Sequence, residues 1–133
     1  MISVIMSAYQ EDLSVFVPAV TSILDQKGPS FELILVLDDP ENTELASWVD
    51  ENLLSDDRVR VLRNKNNLGL AQSLNRAIEN ASGDFLCRMD ADDIAEPHRL
   101  EKQLSYLREH DLDLVGGRVN VMDAEGEFLY MTP

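Results

Sequence analysis

The fold is decided by a short apolar run near the start of the chain, ISVIMSAY at residues 2–9. Only Ser3 interrupts its apolar part, which is short enough for a buried strand, and a turn-like segment at residues 7–9 ends it. Apolar residues then recur at steps of three and four over residues 13–24, the spacing of one helical face, and Gly28-Pro29 follows as a stop. A strand followed by a helix is how a chain returns to add a parallel strand.

Strands and helices alternate along almost the whole chain. Further strands are predicted at residues 33–37, 59–62 and 85–89, and amphipathic helices at residues 45–53, 70–81 and 97–107. Gly83 is expected to end the third helix. We predict one long or bent strand over residues 112–122 and a last strand at residues 128–130. The alternation predicts an α/β fold with a mostly parallel sheet, helices on both faces and the strand order three, two, one, four.

Composition limits the classes of function. The 133 residues, 44% hydrophobic and 27% charged, predict one folded domain over residues 1–133. The net charge of -14 repels phosphate backbones, so nucleic acid is not an expected partner. The sequence has no apolar run long enough for a bilayer span, no signal-peptide pattern at its start and one cysteine, Cys87. We therefore expect a cytoplasmic location.

Several common catalytic signatures do not occur in the sequence. There is no Gly-rich phosphate loop followed by Lys, no Gly-x-Gly-x-x-Gly after the first strand, no serine nucleophile elbow and no pair of cysteines. Nucleotide hydrolysis and dinucleotide redox chemistry are thereby disfavoured.

Polar residues, most of them acidic, follow the ends of three predicted strands. In such sheets, ligands bind beyond the carboxyl ends of the strands, where the winding direction reverses. These residues are Ser7, Tyr9 and Glu11 after strand one, Asp38 and Asp39 after strand two, and Asp90, Asp92 and Asp93 after strand four. Carboxylates that converge without partners repel one another, so we expect a cation or a donor-rich ligand among them. Mn²⁺ or Mg²⁺ suits Asp90 and Asp92, because the small Ala91 between them leaves room for a ligand.

The same acids have plainer interpretations. The aspartates of residues 90–93 could cap the helix predicted near Pro97, and Asp38-Asp39 before Pro40 is common turn chemistry. For residues 90–93 taken alone, helix capping explains the sequence as well as a metal site does. For Asp38-Asp39 taken alone, turn chemistry explains the sequence as well as ligand binding does.

The other candidates are ambiguous as well. Tyr9 could stack on a base or pack at the sheet edge, while Glu11 and Asp12 could cap the first helix. Gly69 is explained as a glycine at a helix start, although its loop would also offer backbone amides to a phosphate or sugar.

Four segments, in this order and spacing, resemble family 2 glycosyltransferases. They are residues 2–9, Leu37-Asp38-Asp39, residues 66–75 (NNLGLAQSLN) and residues 83–93, which contain RMDADD. The resemblance covers most of the chain. It is greatest to bacterial exopolysaccharide transferases of the amylovoran-biosynthesis type, on the basis of residues 6–9 and of Asp39-Pro40 with Thr43-Glu44-Leu45.

The resemblance implies a Rossmann-like three-layer sandwich of the GT-A type and assigns roles to residues. Asp90 and Asp92 match the pair that binds Mn²⁺ or Mg²⁺ at the donor diphosphate, with Asp93 sharing or replacing one of them. The positions that match the nucleotide-sugar site are Ser7, Ala8, Tyr9 and Glu11 around the base and ribose, Asp38 and Asp39 at the base, Gly69 and Asn75 along the wall, and Ala91 between the metal ligands. Asp39-Pro40-Glu41-Asn42 departs from the commoner Asp-Gly-Ser after strand two.

The resemblance also implies a reaction. It is the inverting transfer of a sugar from a nucleoside diphosphate, UDP by default, to a glycan or lipid-linked glycan acceptor in bacterial exopolysaccharide, capsule or O-antigen synthesis. The location it implies is peripheral, at the inner face of the plasma membrane. The catalytic base matches no residue here and is expected beyond Pro133, so we expect a donor-binding domain truncated at its C-terminal side, without the acceptor-binding half.

Two alternative functions are open at this stage. A metal-binding receiver-type module also carries aspartates at strand ends, but it would need paired acids after strand one and a late Lys, where this chain has Tyr9 and Glu11. A non-catalytic interaction protein would use its exposed sheet edge to form a homodimer.

Overall fold

A computed structural model describes residues 1–133 and contains the predicted alternation of strands and helices. The elements are β1 (Ile2–Ala8), α1 (Leu13–Leu24), β2 (Phe31–Leu37), α2 (Thr43–Asn52), β3 (Val59–Arg63), α3 (Leu70–Glu79), β4 (Phe85–Arg88), α4 (Arg99–Glu109), β5 (Asn120–Met122) and β6 (Phe128–Met131). The single domain predicted over the chain comprises two compact units, Met1–Leu100 and Glu101–Pro133. No helix has the length and apolar character that a bilayer span requires.

The first unit is built on a four-stranded parallel sheet with the order β3-β2-β1-β4, which confirms the predicted topology. β1 pairs with β2 from Ile2 opposite Phe31 to Ala8 opposite Leu37. β4 pairs with the other side of β1 and starts with Phe85 opposite Ile2. The direction of winding therefore reverses at β1, between the connection to β2 and the later arrival of β4.

Helices cover both faces of this sheet. On one face, Leu74 and Ala77 of α3 pack against Ile5, Ile34 and Val36. Right-handed crossovers place α1 and α2 on the opposite face, where they meet through an edge-to-face contact of Phe16 and Trp48. The strand residues of that face are fully buried as well, namely Val4, Met6, Leu33 and Leu35. Burial on both faces explains why these strands are continuous apolar runs in the sequence.

Gly83 does not end α3, contrary to the prediction. The helix ends with Asn80 as its C-cap. Gly83 lies instead against β1, where its backbone N–H donates to Ser3 Oγ at 2.8 Å. A Cβ at this position would lie 2.7 Å from the Ser3 backbone nitrogen, so only glycine fits between this loop and the central strand.

Glu32 supports the same close approach. Its Oε1 accepts hydrogen bonds of 2.7 Å from Ser3 Oγ and from the backbone N–H and hydroxyl of Ser82. Burial acts to raise the pKa of Glu32, but these hydrogen bonds and the charge of Arg60 outweigh it and hold the pKa below its ordinary value. The ionised carboxylate therefore joins β2 to the segment that leads into β4.

The second unit contains an antiparallel pair, β5 and β6. The predicted final strand is confirmed, but the prediction of one long strand over residues 112–122 is wrong, because only Asn120–Met122 is extended and paired. Residues 112–119 are exposed except for the half-buried Val115, and Gly116-Gly117 offers no side chain to pack. A strand is stabilised by packing of its side chains, which this segment lacks.

Candidate functional site

The segments that follow β1, β2 and β4 leave the sheet along one edge. Ala8 at the end of β1 is paired with Leu37 at the end of β2. After β4, the Met89 N–H still donates to the Ile5 carbonyl at 3.1 Å, which keeps the chain beside β1 up to the acidic loop. The strand ends thus bring the loop after β1, Asp38-Asp39 and residues 90–93 to a single edge, at the point where the winding reverses.

Asp38 is buried and its carboxylate is occupied by donors of the protein itself. The side chain is 1% exposed. Its Oδ1 accepts from Asn64 Nδ2 at 2.6 Å and from the Leu68 N–H at 2.8 Å, and its Oδ2 accepts from the Gly69 N–H at 2.9 Å. Burial favours the neutral acid, but the hydrogen bonds prevail and the pKa of Asp38 lies below its ordinary value. The ionised side chain therefore holds the loop before α3 against the end of β2.

The polar face of α3 completes this network. Asn64 Nδ2 also donates to Ser73 Oγ at 2.9 Å, and Ser73 is fully buried. Arg76 Nη1 donates to the Arg63 carbonyl and to Asn64 Oδ1. Ser73 is buried although it is polar, because Asp38 and Asn64 require polar partners inside the protein.

The loop before α3 does not present the Leu68 and Gly69 amides to a ligand, contrary to one reading of the sequence, since both donate to Asp38. The other reading is confirmed, because Gly69 is the residue at the helix start, with φ 81 and ψ 162. This backbone region is accessible essentially to glycine alone. Asn75, predicted on the wall of the donor site, lies exposed on α3.

Replacing Gly69 with alanine is expected to lower the free energy of unfolding by about 1–3 kcal/mol, the usual strain of a side chain in this backbone region. No atom lies within 4 Å of the added Cβ, so the loss measures backbone strain alone. Gly116→Ala is the control, because it also has no neighbour within 4 Å and has no positive φ. Urea unfolding should give a change below about 0.5 kcal/mol for the control. Equal losses of stability in Gly69→Ala and Gly116→Ala would contradict the conclusion that Gly69 is required for its positive φ.

The loop after β1 has an exposed ring at its tip. Ser7 is half-buried and Ala8 is buried, whereas Tyr9 is 41% exposed. Glu11 Oε2 accepts from the Tyr9 N–H at 2.6 Å, which fixes the turn. Asp12 occupies the N-cap position of α1, as predicted, but its side chain makes no hydrogen bond to the helix, and the Glu11 carboxylate is bonded to the Tyr9 N–H instead.

Asp39, the neighbour of Asp38, is half-buried and has a different role in the turn. Its Oδ1 accepts from the Glu41 N–H at 2.9 Å across Pro40. This is the turn chemistry that the sequence indicated as the plainer interpretation. The hydrogen bond uses one carboxylate oxygen, so of the two acids after β2 it is Asp39 that has an oxygen to offer to a ligand.

The aspartates of residues 90–93 form a tight turn rather than a helix cap. The Asp93 N–H approaches the Asp90 carbonyl at 3.4 Å, and α4 begins only at Arg99. Ala91 is buried, while Asp92 and Asp93 are exposed. Although Asp93 is exposed, partial desolvation and the charges of Asp92 and Asp90 outweigh those of Arg99 and Arg88 and raise the pKa of Asp93 above its ordinary value.

The segment between this loop and α4 is fixed to the end of α1. Ser22 Oγ accepts from the Ala95 N–H at 2.9 Å. Gln26 donates to the Glu96 carbonyl at 2.7 Å and accepts from the Leu100 N–H at 3.1 Å, near the start of α4. These bonds position the acidic loop from its C-terminal side, as β4 does from its N-terminal side.

The donor set of the loop fits a divalent cation only in part. No group of three or more His, Cys, Asp or Glu side chains in the chain is arranged to hold a metal ion, so Asp90, Asp92 and Asp93 do not form a preassembled three-ligand cluster. Mg²⁺ in nucleotide sites needs only one or two carboxylates, because water and phosphate oxygens complete its shell, and Mn²⁺ accepts the same ligands. Asp90 and Asp92 meet this smaller requirement for a metal that arrives together with a phosphate ligand.

The fold and the acidic edge define a doubly wound α/β protein whose polar loops lie where the winding of its sheet reverses, the usual place of a ligand in such sheets. The family model for glycosyl transferase family 2 matches residues 3–132, and the chain belongs to this family. The resemblance found in the sequence is thereby confirmed.

Two relatives and one solved structure illustrate the match. The chain is 35% identical over 130 residues to the O-antigen biosynthesis glycosyltransferase WbnJ of Escherichia coli, covering 97% of this chain and 50% of WbnJ. It is 33% identical over 133 residues to the amylovoran biosynthesis glycosyltransferase AmsE of Erwinia amylovora, covering 96% of this chain and 48% of AmsE. The chain thus spans about half the length of these relatives.

The fold is similar to that of S. aureus TarS 1-349, solved in complex with UDP-GlcNAc, with a TM-score of 0.68 and 24% identity over 83% of this chain and 32% of that chain. This similarity confirms the predicted GT-A type of fold.

Proposed function

We propose that this chain is the donor-binding part of a metal-dependent glycosyltransferase. Its donor is a nucleoside-diphosphate sugar, with UDP as the nucleotide, and Mn²⁺ or Mg²⁺ accompanies the diphosphate. The sugar goes to a glycan or lipid-linked glycan in bacterial exopolysaccharide, capsule or O-antigen synthesis. The proposal includes a location in the cytoplasm, peripheral to the inner face of the plasma membrane.

The observation that carries the proposal is that Tyr9, Asp39 and residues 90–92 all follow the carboxyl ends of neighbouring parallel strands in a chain of glycosyl transferase family 2. Two similarities add to it. WbnJ is an O-antigen and AmsE an amylovoran biosynthesis enzyme, and the TarS structure contains UDP-GlcNAc. The receiver-type alternative has no support from these relatives.

The nucleotide end of the donor would lie against the ends of β1 and β2. The exposed Tyr9 ring offers a flat apolar surface to a base, and the half-buried Ser7 lies just before it. Asp39 would accept a hydrogen bond from a base N–H, because its carboxylate is oriented by the Glu41 N–H. Asp38 would act indirectly, by holding the loop that ends at Gly69.

The diphosphate end would lie at the Asp90 to Asp92 loop, and charge explains why a cation is needed there. Two carboxylates and a diphosphate repel one another in a chain that already has a net charge of -14. A bound divalent ion would offset much of this repulsion and stabilise the charge that develops on the departing diphosphate. Asp90 and Asp92 would hold it, while Ser22 and Gln26 keep their loop in place through the following segment.

The proposal predicts that UDP stabilises the chain only when Mn²⁺ is present. A ligand at 100 times its dissociation constant adds about 2.7 kcal/mol to the free energy of unfolding. Thermal unfolding should therefore shift upward with Mn²⁺ and UDP together, and this shift should vanish in Asp90→Ala/Asp92→Ala.

The matched control for this experiment is Asp25→Ala/Asp57→Ala. It removes two exposed carboxylates at the opposite edge of the sheet, before β2 and β3, and should keep the shift. An equal shift in Asp90→Ala/Asp92→Ala, or a shift with UDP alone, would contradict the proposed metal-dependent site.

The homodimer through an exposed sheet edge stays a prediction. β4 is an edge strand of the sheet, and its Leu86 side chain is half exposed. Sedimentation of the chain at several concentrations would test this association separately from donor binding.

A further inference from the structure

Arg88, the last residue of β4, occupies a carboxylate that the proposed function gives to the metal. Its Nε donates to Asp90 Oδ1 at 3.0 Å, and its Nη2 contacts Oδ1 at 2.8 Å and Oδ2 at 3.1 Å. Both carboxylate oxygens therefore have the guanidinium as a partner. A divalent ion that binds Asp90 meets this bound cation first.

Breaking the ion pair between Arg88 and Asp90 costs the folded chain little free energy. The side chains of Arg88 and Asp90 are 54% and 44% exposed. Ion pairs with this exposure contribute little to stability, because water solvates the separated charges almost as well. The backbone on either side is held independently, since Arg99 Nη2 donates to the Arg88 carbonyl at 3.0 Å and the Met89 N–H is bonded to Ile5. Exchange therefore requires movement of the Arg88 side chain alone.

The acidic loop also needs a cation when no metal is bound. Asp90, Asp92 and Asp93 lie within four consecutive positions. Arg88 forms an ion pair with this loop through Asp90, and the charge of Arg99 also acts on Asp93. The charge of Arg88 offsets part of the mutual repulsion of these carboxylates, a role that a bound metal would take over.

We propose that Arg88 is a positioning residue that stands in for the metal at Asp90 and is displaced by the divalent ion that enters with the donor. The guanidinium and the metal compete for the same two oxygens, so Arg88 lowers the affinity of the site for the divalent ion that enters with the donor. This inference rests on the proposed function.

The test is the affinity for Mn²⁺, measured from the electron paramagnetic resonance signal of free Mn²⁺ at a fixed concentration of UDP. Arg88→Gln should bind Mn²⁺ about two- to fivefold more tightly than the unaltered chain, the range that an exposed ion pair allows. Arg88→Lys keeps the charge but loses the bidentate contact, so it should also bind more tightly, though less than Arg88→Gln.

Arg63→Gln is the matched control. Arg63 forms an ion pair of similar exposure with Asp50. It lies on β3, the outermost strand on the side of the sheet away from β4. The control should bind Mn²⁺ like the unaltered chain. If all variants bind alike, or if Arg88→Lys equals the unaltered chain so that charge alone matters, the exchange is refuted. Weaker binding by Arg88→Gln would also refute it, because Arg88 would then support the metal.

A second measurement uses the unaltered chain and does not depend on the folding of a variant. The Nε–H resonance of Arg88, assigned by its loss in Arg88→Lys, should shift when Mg²⁺ and UDP are added together. If it stays fixed while Mg²⁺ and UDP demonstrably bind, the exchange is wrong and the donor site survives. If the unaltered chain binds neither Mn²⁺ nor Mg²⁺ with UDP, the proposed function fails, and the role of Arg88 fails with it.

Discussion

Replacing Gly83 with alanine is expected to lower the free energy of unfolding by about 3 kcal/mol, the upper part of the range for overpacked sites. The added Cβ would lie 2.7 Å from the backbone nitrogen and the Oγ of Ser3 and 2.9 Å from the backbone carbon of Ile2. Two of these atoms belong to the backbone of β1, which is paired on both sides by β2 and β4. The central strand cannot move away without straining both ladders.

The clash with the Ser3 hydroxyl can be distinguished from the clash with the backbone of β1 by the substitution Ser3→Ala. In the double variant Gly83→Ala/Ser3→Ala the hydroxyl is gone but the backbone contacts of 2.7 and 2.9 Å remain, so stability should not return. Urea unfolding of both variants and of Ser3→Ala alone provides the comparison. Full recovery in the double variant would show that only the hydroxyl was in the way and would contradict the role given to β1.

Replacing Asp38 with asparagine is the second substitution with a large expected effect, a loss of about 3 kcal/mol, as for buried hydrogen bonds to a charged group. The carboxylate accepts hydrogen bonds from Asn64, Leu68 and Gly69, and these donors occupy both of its oxygens. An amide has only one oxygen, so its NH₂ group would face at least one of these donors. The variant is nearly isosteric, and the loss therefore measures the hydrogen bonds rather than a cavity.

The pH dependence gives this prediction its control. Since the pKa of Asp38 is lowered in the folded chain, its contribution is complete above the ordinary value of 3.8 and is lost as the pH falls below that value toward the folded pKa. The stability difference between the unaltered chain and Asp38→Asn should be constant from pH 7 to pH 5 and shrink below 3.8. A difference that does not change down to pH 3 would show that the ionised form is not what matters.

The order of the sheet and the place of the acidic loops could be predicted from the sequence because they depend on local patterns. Strands buried on both faces are continuous apolar runs, and the helices between them have one apolar face. Each element from β1 to β4 can therefore be predicted from its own stretch of sequence. The rule that ligands bind where the winding reverses then adds the edge at which Tyr9, Asp39 and Asp90 lie.

The hydrogen-bond networks could not be predicted in this way, because they join residues far apart in the chain. Asp38 and Gly69 are separated by 31 positions, and Ser3 and Gly83 by 80. Gln72 and Asn75, close to Ser73 in the sequence, are polar and exposed, so its residue type alone does not reveal that the Ser73 hydroxyl is buried. Arg88 was missed because a bidentate pair depends on the turn that follows β4, although an arginine two positions before an aspartate was a visible signal.

The two acids after β2 show most clearly what the sequence alone cannot predict. In the sequence, Asp38 and Asp39 are interchangeable turn residues before a proline. In the structure one is 1% exposed and bonded to three donors of the chain, while the other is half-buried with one oxygen bonded to Glu41. The alternation of side chains at the end of a strand separates them, one into the core and one toward the edge.

The central claim, a metal and donor site at the carboxyl edge of the sheet, is tested most directly by the broadening that Mn²⁺ causes in amide resonances in the presence of UDP. Amides of residues 90–93 and of the loop after β1 should broaden, and those at the opposite edge, at Ile2, Phe31 and Phe85, should stay sharp. The broadening should be lost in Asp90→Ala/Asp92→Ala. Broadening centred on any other acidic surface of the chain, or none with Mn²⁺ and UDP together, would contradict the account.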